Sequence, residues 1–246
     1  MLASERRVYI MKNLYQKGII NIKDIARELN ISEITVRRDF EKMELEGKLK
    51  RVQGGAALEE ALENAELTMQ NRLSVHVPKK RLVSEAAADL VQDGDHVFVD
   101  AGTTMAPLLD ILLLKPVKIV TYNSLIVRNM PNPVAEMFVV GGKYLPHYSM
   151  FVGASAQDML KQFRFNIAFL GCSGVDVEEG VVYTTEMESL LMKKIALERA
   201  EKQYLLLDDS KLEKHGFLKF TDLSGFTGII CNRIDNKPYI EKVMWV

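Results

Sequence analysis

The sequence has few cysteines and histidines and no long apolar run. Its two cysteines, Cys172 and Cys231, are too far apart in the chain to predict a disulfide framework or a zinc site. The four histidines show no ligand spacing, so we expect neither a metal nor a cofactor. No run approaches the about 18 apolar residues of a membrane helix, and charges occur within the first few positions. We therefore expect a cytoplasmic protein with no membrane span and no export signal.

Positive charge is concentrated near the start of the chain. Residues 1–55 contain 12 Lys and Arg against 8 Asp and Glu, a net charge of +4. The whole chain of 246 residues has a net charge of −1, which leaves −5 for the remainder. A basic tip on a mildly acidic body favours docking on nucleic acid through the tip alone. The length allows a small head and one larger domain.

Residues 24–56, DIARELNISEITVRRDFEKMELEGKLKRVQGGA, combine two short helical patterns with a turn and a glycine-ended hairpin. Ser32 is a good N-cap for a helix that begins at Glu33. Val36, Phe40 and Met43 are spaced i, i+4 and i+7, so they predict one buried stripe on that helix. The pattern is typical of a winged helix-turn-helix.

The opposite face of the second helix is basic, and the hairpin after Gly47 alternates basic and apolar residues. Guanidinium groups on such a face can reach phosphate oxygens or guanine edges in the major groove. The alternative is a small helical domain with an ordinary solvated charged face. The residues that we expect to contact DNA are Ser32, Glu33, Thr35, Arg37, Arg38, Lys42, Lys50 and Arg51.

From about residue 78, short apolar segments alternate with helical patterns. The predicted strands are 96–100, 117–121, 137–140, 167–170, 204–207 and 228–231. The predicted helices lie near 83–91, 104–114, 124–130, 154–162 and 185–201. Such alternation predicts an α/β domain with a mostly parallel sheet covered on both faces. We expect a DNA-binding domain over 1–57, a helical linker over 58–77 and this α/β domain over 78–246.

Polar groups follow five of the predicted strands, at 100–104, 121–124, 141–143, 171–176 and 208–211. Open α/β sheets bind ligands at the carboxyl ends of their strands. At the start of a helix, Gly102, Thr103 and Thr104 offer N–H groups, hydroxyls and the positive dipole end, which suit a phosphate. One such loop could equally be a tight turn with a helix cap. Five at one sheet edge predict a pocket for a small phosphorylated ligand.

These motifs together resemble the DeoR family of bacterial transcriptional regulators. The resemblance rests on SEITVRRD at 32–39, the wing at 47–56, DAGTT at 100–104, TYNS at 121–124, Gly141-Gly142, Gly153, Asp176, Glu186 and DSK at 209–211. It implies a regulator of sugar metabolism, usually a repressor. It also implies a C-terminal domain similar to ribose-5-phosphate isomerase that senses a phosphorylated sugar.

The expected partners are double-stranded operator DNA and a phosphorylated sugar effector. We expect Gly102, Thr103 and Thr104 to hold the phosphate with support from Lys211, and Asn123, Asp176 and Glu186 to bind the sugar hydroxyls. The full set of candidate effector-binding residues is Asp100, Gly102, Thr103, Thr104, Asn123, Ser124, Gly141, Gly142, Asp176, Glu186 and Lys211.

Two alternatives belong to other classes of protein. The isomerases that the chain resembles use Asp, Glu and Lys for proton transfer, so the domain could be a sugar-phosphate isomerase-like enzyme with a DNA-binding head. Binding sugar hydroxyls uses the same residue types, and a fused DNA head favours binding without turnover, so we expect no enzyme. A structural DNA-bridging protein would leave the polar loops unexplained.

The linker pattern and the size of the head predict an oligomer, a dimer or a tetramer. One short recognition helix reads too few base pairs to compete with a genome of non-specific sites, so two heads should read two half-sites. Leu58, Leu62, Ala65 and Met69 form an apolar stripe among glutamates, which predicts an amphipathic connecting helix. This stripe could pack on the second domain or on a partner chain.

Overall fold

The structure is a computed structural model that describes residues 3–17, 19–52, 54–57, 69–128, 133–146, 148–235 and 240–246. The chain forms two compact units, Met1–Arg72 and Leu73–Val246. Most of the predicted linker stripe, including Leu58, Leu62 and Ala65, lies outside the described residues, so the connecting helix stays a prediction. Met69 begins a short helix, α4 (Met69–Ser74).

The first unit is a winged helix-turn-helix, as the sequence predicts. Its elements are α1 (Ala3–Lys17), β1 (Ile19–Asn21), α2 (Ile22–Leu29), α3 (Glu33–Leu45), β2 (Lys50–Val52) and β3 (Gly55–Ala57). The three strands form an antiparallel sheet in the order β1-β3-β2. The predicted stripe of Val36, Phe40 and Met43 is fully buried in the core of this unit. Burying each such side chain contributes about 1.5–3 kcal/mol.

Local features fix the turn and the wing. The Ser32 side chain accepts a hydrogen bond from the Thr35 amide at 3.3 Å and so caps α3. Asn30, with φ 51°, ends α2 in the left-handed conformation. A Cβ at Gly55 would lie 2.1 Å from the carbonyl oxygen of Ile20, so only glycine lets β3 approach β1 this closely.

The second unit is built on a seven-stranded parallel sheet. Its helices after α4 are α5 (Val77–Ala88), α6 (Met105–Leu112), α7 (Ala154–Leu160) and α8 (Met187–Arg199). Its strands are β4 (His96–Val99), β5 (Lys118–Thr121), β6 (Glu136–Val139), β7 (Lys143–Leu145), β8 (Met150–Val152), β9 (Phe165–Leu170), β10 (Gly174–Asp176), β11 (Val181–Thr184), β12 (Ala200–Leu207), β13 (Leu218–Asp222), β14 (Gly228–Cys231) and β15 (Val243–Trp245). The order in the large sheet is β15-β14-β12-β9-β4-β5-β6.

The large sheet is covered on both faces, which confirms the prediction. Successive residues of β4 contribute to different cores: Phe98 belongs to one buried cluster, and Val97 and Val99 belong to another. Because side chains alternate along a strand, the two clusters lie on opposite faces of the sheet. Ala168 and Phe169, which are adjacent on β9, divide between the same two clusters.

Several short elements differ from the sequence-based expectations. A three-stranded antiparallel sheet of β10, β11 and β13 and a β7–β8 hairpin were not predicted, and neither was β15. The helix predicted over 124–130 is a 3-10 turn over Ser124–Arg128, and residues 129 and 130 lie outside the described residues. The Leu125 amide donates to Asn123 Oδ1 at 3.0 Å, and this side-chain turn replaces the start of an α-helix. Within the described parts of the chain, no helix is both long and apolar enough to cross a bilayer.

Candidate functional site

The outer face of α3 presents three basic side chains. Arg37, Arg38 and Lys42 are exposed, opposite the buried stripe. The Arg37 guanidinium lies 3.6 Å from Glu33 and is 57% exposed. An exposed pair of this kind contributes at most about 1 kcal/mol, so Arg37 can exchange this partner for another anion. Ser32 and Thr35, whose hydroxyls are 2.9 Å apart, lie at the start of the same helix.

Arg51 joins the wing to α3. Its Nε donates to Glu44 at 2.6 Å and its Nη1 to Glu41 at 2.8 Å, while its backbone amide donates to the other Glu44 oxygen at 2.8 Å. The hydrogen bonds from the amide and the guanidinium lower the pKa of Glu44. Arg51 therefore holds β2 against α3 and balances two carboxylates of that helix. Lys50, its neighbour on β2, is exposed.

A buried carboxylate fixes α3 on its inner side. Asp39 is 4% exposed. Arg6 of α1 donates to it through Nε at 2.7 Å and through Nη2 at 3.3 Å, and Arg7 lies 3.6 Å away. Asp39 was not among the predicted functional residues, although an acid three positions after Val36, among the buried positions of α3, is a signal that the sequence contains. These contacts hold α3 against α1.

The second unit brings the first residues of the five predicted polar groups to one edge of its large sheet, whereas Asp176, at the end of the fourth group, lies on β10 of the antiparallel sheet. The strands before them, β12, β9, β4, β5 and β6, are adjacent and parallel, so the loops that follow lie side by side. The side-chain amide of Asn123 donates to the carbonyl of Gly102 at 3.3 Å and links two of these loops. Asn123 itself is fully buried.

Asp100 lies beneath these loops and holds them together. Tyr122 donates its hydroxyl proton to one carboxylate oxygen, and the other oxygen accepts from Lys193 and from the Gly171 amide at 2.8 Å. Lys193 also donates to the Gly171 carbonyl at 2.9 Å. Burial, followed by the nearby Asp100 carboxylate, raises the pKa of Tyr122 well above its usual value. Asp100 therefore supports the loops from below.

Gly102, Thr103 and Thr104 lie directly before α6, as predicted. Lys80 of α5 is buried and donates to the Thr103 hydroxyl at 3.0 Å. The Ser84 hydroxyl donates to the carbonyl of Thr104 at 3.1 Å. Lys80 was not predicted from the sequence, although Lys80 and Ser84, spaced i and i+4, share the buried face of α5. The structure thus places an ammonium group beside the loop that was predicted to hold a phosphate.

Two other predicted side chains, Asp176 at the end of β10 and Glu186 before α8, have local partners. One oxygen of Asp176 accepts from the Glu179 amide at 2.8 Å, and the other lies 3.2 Å from His215 Nδ1. Glu186 caps α8 by accepting from the Ser189 amide at 3.0 Å. Both carboxylates therefore stabilise the backbone at the ends of β10 and α8. Lys211 lies half-buried in the loop after β12.

The two glycines after β6 differ in their surroundings, and Ser124 is fixed through its backbone. A Cβ at Gly142 would lie 2.5 Å from the carbonyl oxygen of Val152, whereas a Cβ at Gly141 would meet nothing within 4 Å. Gly142 is therefore required for close packing against β8. The Ser124 amide donates to the Ser149 carbonyl at 2.8 Å.

A winged helix-turn-helix joined to a parallel α/β unit with polar loops at one sheet edge defines a class, the DNA-binding regulators that carry a sensor domain. Two family models match: the DeoR-like helix-turn-helix domain over residues 6–61 and the DeoR C terminal sensor domain over residues 75–233. The chain belongs to the DeoR family and is a DNA-binding transcriptional regulator.

Named relatives cover nearly the whole chain. The lactose phosphotransferase system repressor of Staphylococcus epidermidis is 30% identical over 244 residues, which is 96% of each chain. The repressor of the same name from Staphylococcus aureus is 29% identical over 250 residues, 97% of this chain and 98% of that one. Ribose 5-phosphate isomerase A from Methanocaldococcus jannaschii is 19% identical, with a TM-score of 0.40, over 54% of this chain and 53% of that one.

Proposed function

We propose that the protein represses genes of carbohydrate metabolism by binding operator DNA through α3 and the wing, and that a phosphorylated sugar bound at the sheet edge controls this binding. The relatives named above as repressors of a lactose phosphotransferase system support the first part. The contact between Lys80 and Thr103 at the start of α6 supports the second and carries the proposal most directly.

The proposed phosphate subsite combines three sources of positive potential. Backbone N–H groups at Gly102, Thr103 and Thr104 lie at the N-terminus of α6, where the helix dipole favours an anion. The ammonium group of Lys80 lies 3.0 Å from the Thr103 hydroxyl. Lys211, after β12, would add a second cation at the rim. Together these groups suit a phosphate monoester dianion.

The sugar itself would lie over the loops after β5, β9 and β10. Asp176 and Glu186 offer carboxylate oxygens, which can accept hydrogen bonds from hydroxyls in addition to their backbone partners. Asn123, which is buried and bonded to the Gly102 carbonyl and the Leu125 amide, would act on the sugar by positioning these loops. Ser124, Gly141 and Gly142 would line the same edge. Paired donors and acceptors of this kind give specificity among sugars.

Binding without turnover is favoured over the isomerase-like alternative. Proton transfer requires a carboxylate held against the substrate with a suitable pKa. The candidate carboxylates for such a reaction are Asp176 and Glu186. In this structure Asp176 accepts from the Glu179 amide and lies beside His215, and Glu186 caps a helix. These contacts favour a positioning role for the carboxylates at the edge. The family assignment supports the same conclusion.

We further propose that the protein acts as a homo-oligomer with two heads on two half-sites, and that residues 58–77 connect the DNA-binding domain, 1–57, to the sensor domain, 78–246. A dimer doubles the number of base pairs read, which a single α3 needs for specificity. Light scattering of the full chain, free and with DNA, tests this part. A monomer in both states would refute it.

A thermal-shift screen tests the sensor assignment. The full-length protein is heated with each member of a panel of hexose and pentose phosphates and with each corresponding unphosphorylated sugar. We expect at least one sugar phosphate to raise the melting temperature in a concentration-dependent way, because a ligand that binds the folded state stabilises it by mass action. The free sugars should have no effect at the same concentrations. Equal shifts with and without the phosphate would reject the proposed subsite.

A further inference from the structure

An ion pair links the loop after β12 to the first turn of α5. The Lys79 ammonium group lies 2.6 Å from one carboxylate oxygen of Asp209 and 2.9 Å from the other. The Asp209 amide also donates to the Asn232 side chain at 2.9 Å. The two charged side chains are 38% and 23% exposed, so the pair is partly shielded from water.

Both members of this pair are charged at neutral pH. Burial raises the pKa of Asp209, but the hydrogen bonds from Lys79 and Asn232 outweigh it and keep the pKa below its usual value. The hydrogen bond to Asp209 raises the pKa of Lys79. A typical surface ion pair contributes about 0–1 kcal/mol to stability. In this pair both carboxylate oxygens lie within hydrogen-bond distance of the ammonium group, so its geometry is more narrowly fixed than that of a typical surface pair.

Two consecutive lysines therefore hold two loops of the proposed sugar-phosphate site. Lys79 contacts Asp209 in the loop that also carries Lys211, and Lys80 contacts Thr103 in the loop before α6. These lysines lie in the first turn of α5, shortly after the chain enters the second unit at Leu73. The first turn of α5 therefore contacts both loops, and along the chain it follows closely on the connection from the DNA-binding unit.

We propose that the Lys79–Asp209 pair transmits the presence of a sugar phosphate to the start of α5 and so sets how strongly that ligand changes operator binding. This inference rests on the proposed function. A phosphate dianion beside Thr103 attracts both lysines and repels the Asp209 carboxylate, so the pair differs between the occupied and the empty site. A ligand regulates only through such a difference between two states.

The test compares Lys79→Met and Asp209→Asn with a matched control, Arg81→Ala. Arg81 lies on the same helix, and its ion pair with Glu85, at 2.9 Å, stays within that helix. For each full-length variant, operator affinity is measured by fluorescence anisotropy with and without an equimolar mixture of aldose and ketose 6-phosphates and 5-phosphates. The ratio of the two affinities is the coupling.

We expect Lys79→Met and Asp209→Asn each to lower the coupling by a factor of at least about five, toward a ratio of one, at which the ligand has no effect. Arg81→Ala should keep the wild-type ratio. The double variant should lose no more than either single variant, because the two side chains act through one contact. Wild-type coupling in either single variant, or additive losses in the double variant, would overturn the inference.

A second measurement needs no ligand and separates this inference from the proposed function. Amide hydrogen exchange of residues 69–80 should be faster in Lys79→Met and Asp209→Asn than in Arg81→Ala and the wild type. If the sugar-phosphate mixture does not change the operator affinity of the wild type, the proposed function fails. The exchange data then still test whether the Lys79–Asp209 pair stabilises the start of α5. Equal exchange in all four proteins would overturn the transmitting role of the pair.

Discussion

Lys193 and Asp100, 93 residues apart in the chain, form an ion pair beneath the loops at the carboxyl edge of the sheet. Their side chains are 4% and 0% exposed. Through Gly171 and Tyr122 the pair joins the loops after β4, β5 and β9 to α8. The proposed sensor site therefore depends on a lysine that does not itself face the ligand.

Replacing Lys193 should destabilise the second unit. Lys193→Met leaves the Asp100 carboxylate buried without its counter-charge, and breaking a buried pair in this way costs about 3–5 kcal/mol. The matched control is Lys194→Met, which changes an exposed lysine next to it on α8. Urea unfolding followed by circular dichroism measures both. If Lys193→Met unfolds at the same urea concentration as Lys194→Met, the pair has no supporting role.

Arg37→Ala and Arg38→Ala should weaken operator binding without changing the fold, because both side chains lie on the exposed face of α3. Loss of a phosphate contact should lower the salt slope of binding by about one, whereas loss of a base contact costs about 1–3 kcal/mol and relaxes preference at one position. Lys12→Ala, an exposed change on α1, is the control. Fluorescence anisotropy of labelled operator DNA, measured across a salt series, gives both the salt slope and the loss of binding free energy. Wild-type affinity in both variants contradicts this orientation of α3.

Glu44→Ala distinguishes two roles of Arg51. If Arg51 acts by holding the wing through Glu44, this variant weakens operator binding even though it removes a negative charge. If Arg51 acts only as a phosphate contact, removing Glu44 frees its charge and strengthens binding. We expect weaker binding, and we expect Arg51→Ala combined with Glu44→Ala to be non-additive. Stronger binding by Glu44→Ala would show that the wing does not depend on this contact.

The Cys231 thiol should react slowly in the native protein. Burial raises the pKa of Cys231 from 9.0 to about 12, so little thiolate forms at pH 8. Because the unfolded state loses this proton first, the free energy of unfolding should fall as the pH rises above about 9. Labelling with a disulfide reagent at pH 8, with and without denaturant, measures how slowly the Cys231 thiol reacts in the native protein. Rapid labelling of Cys231 in the native protein would contradict the burial.

The elements that the sequence predicts correctly are those with a local signal. Val36, Phe40 and Met43 specify the buried face of α3 by spacing alone, and the strands around Phe98 and Phe169 stand out as apolar segments between turns. By contrast, β10 and β15 have three residues each, too few for a periodic pattern to distinguish strand from loop.

The site was less predictable than the fold because its contacts are distant in sequence. The positions of Gly102, Thr103 and Thr104 follow from the strand before them and the helix after them. The partners of Asp100 do not, since Lys193 and Tyr122 come from other elements and only the folded chain brings them together. Lys79 and Asp209 are separated by 130 residues, and neither position has a local pattern that indicates the other.

The most direct measurement of the central claim is operator affinity with a phosphorylated sugar, with the same sugar lacking its phosphate, and with neither. In the wild type, we expect the phosphorylated sugar alone to change the affinity, by about 5–150-fold. Thr104→Val should bind operator normally without ligand and lose this response, because Thr104 lies at the proposed phosphate subsite. An equal response to both sugars, or a full response in Thr104→Val, would contradict the account.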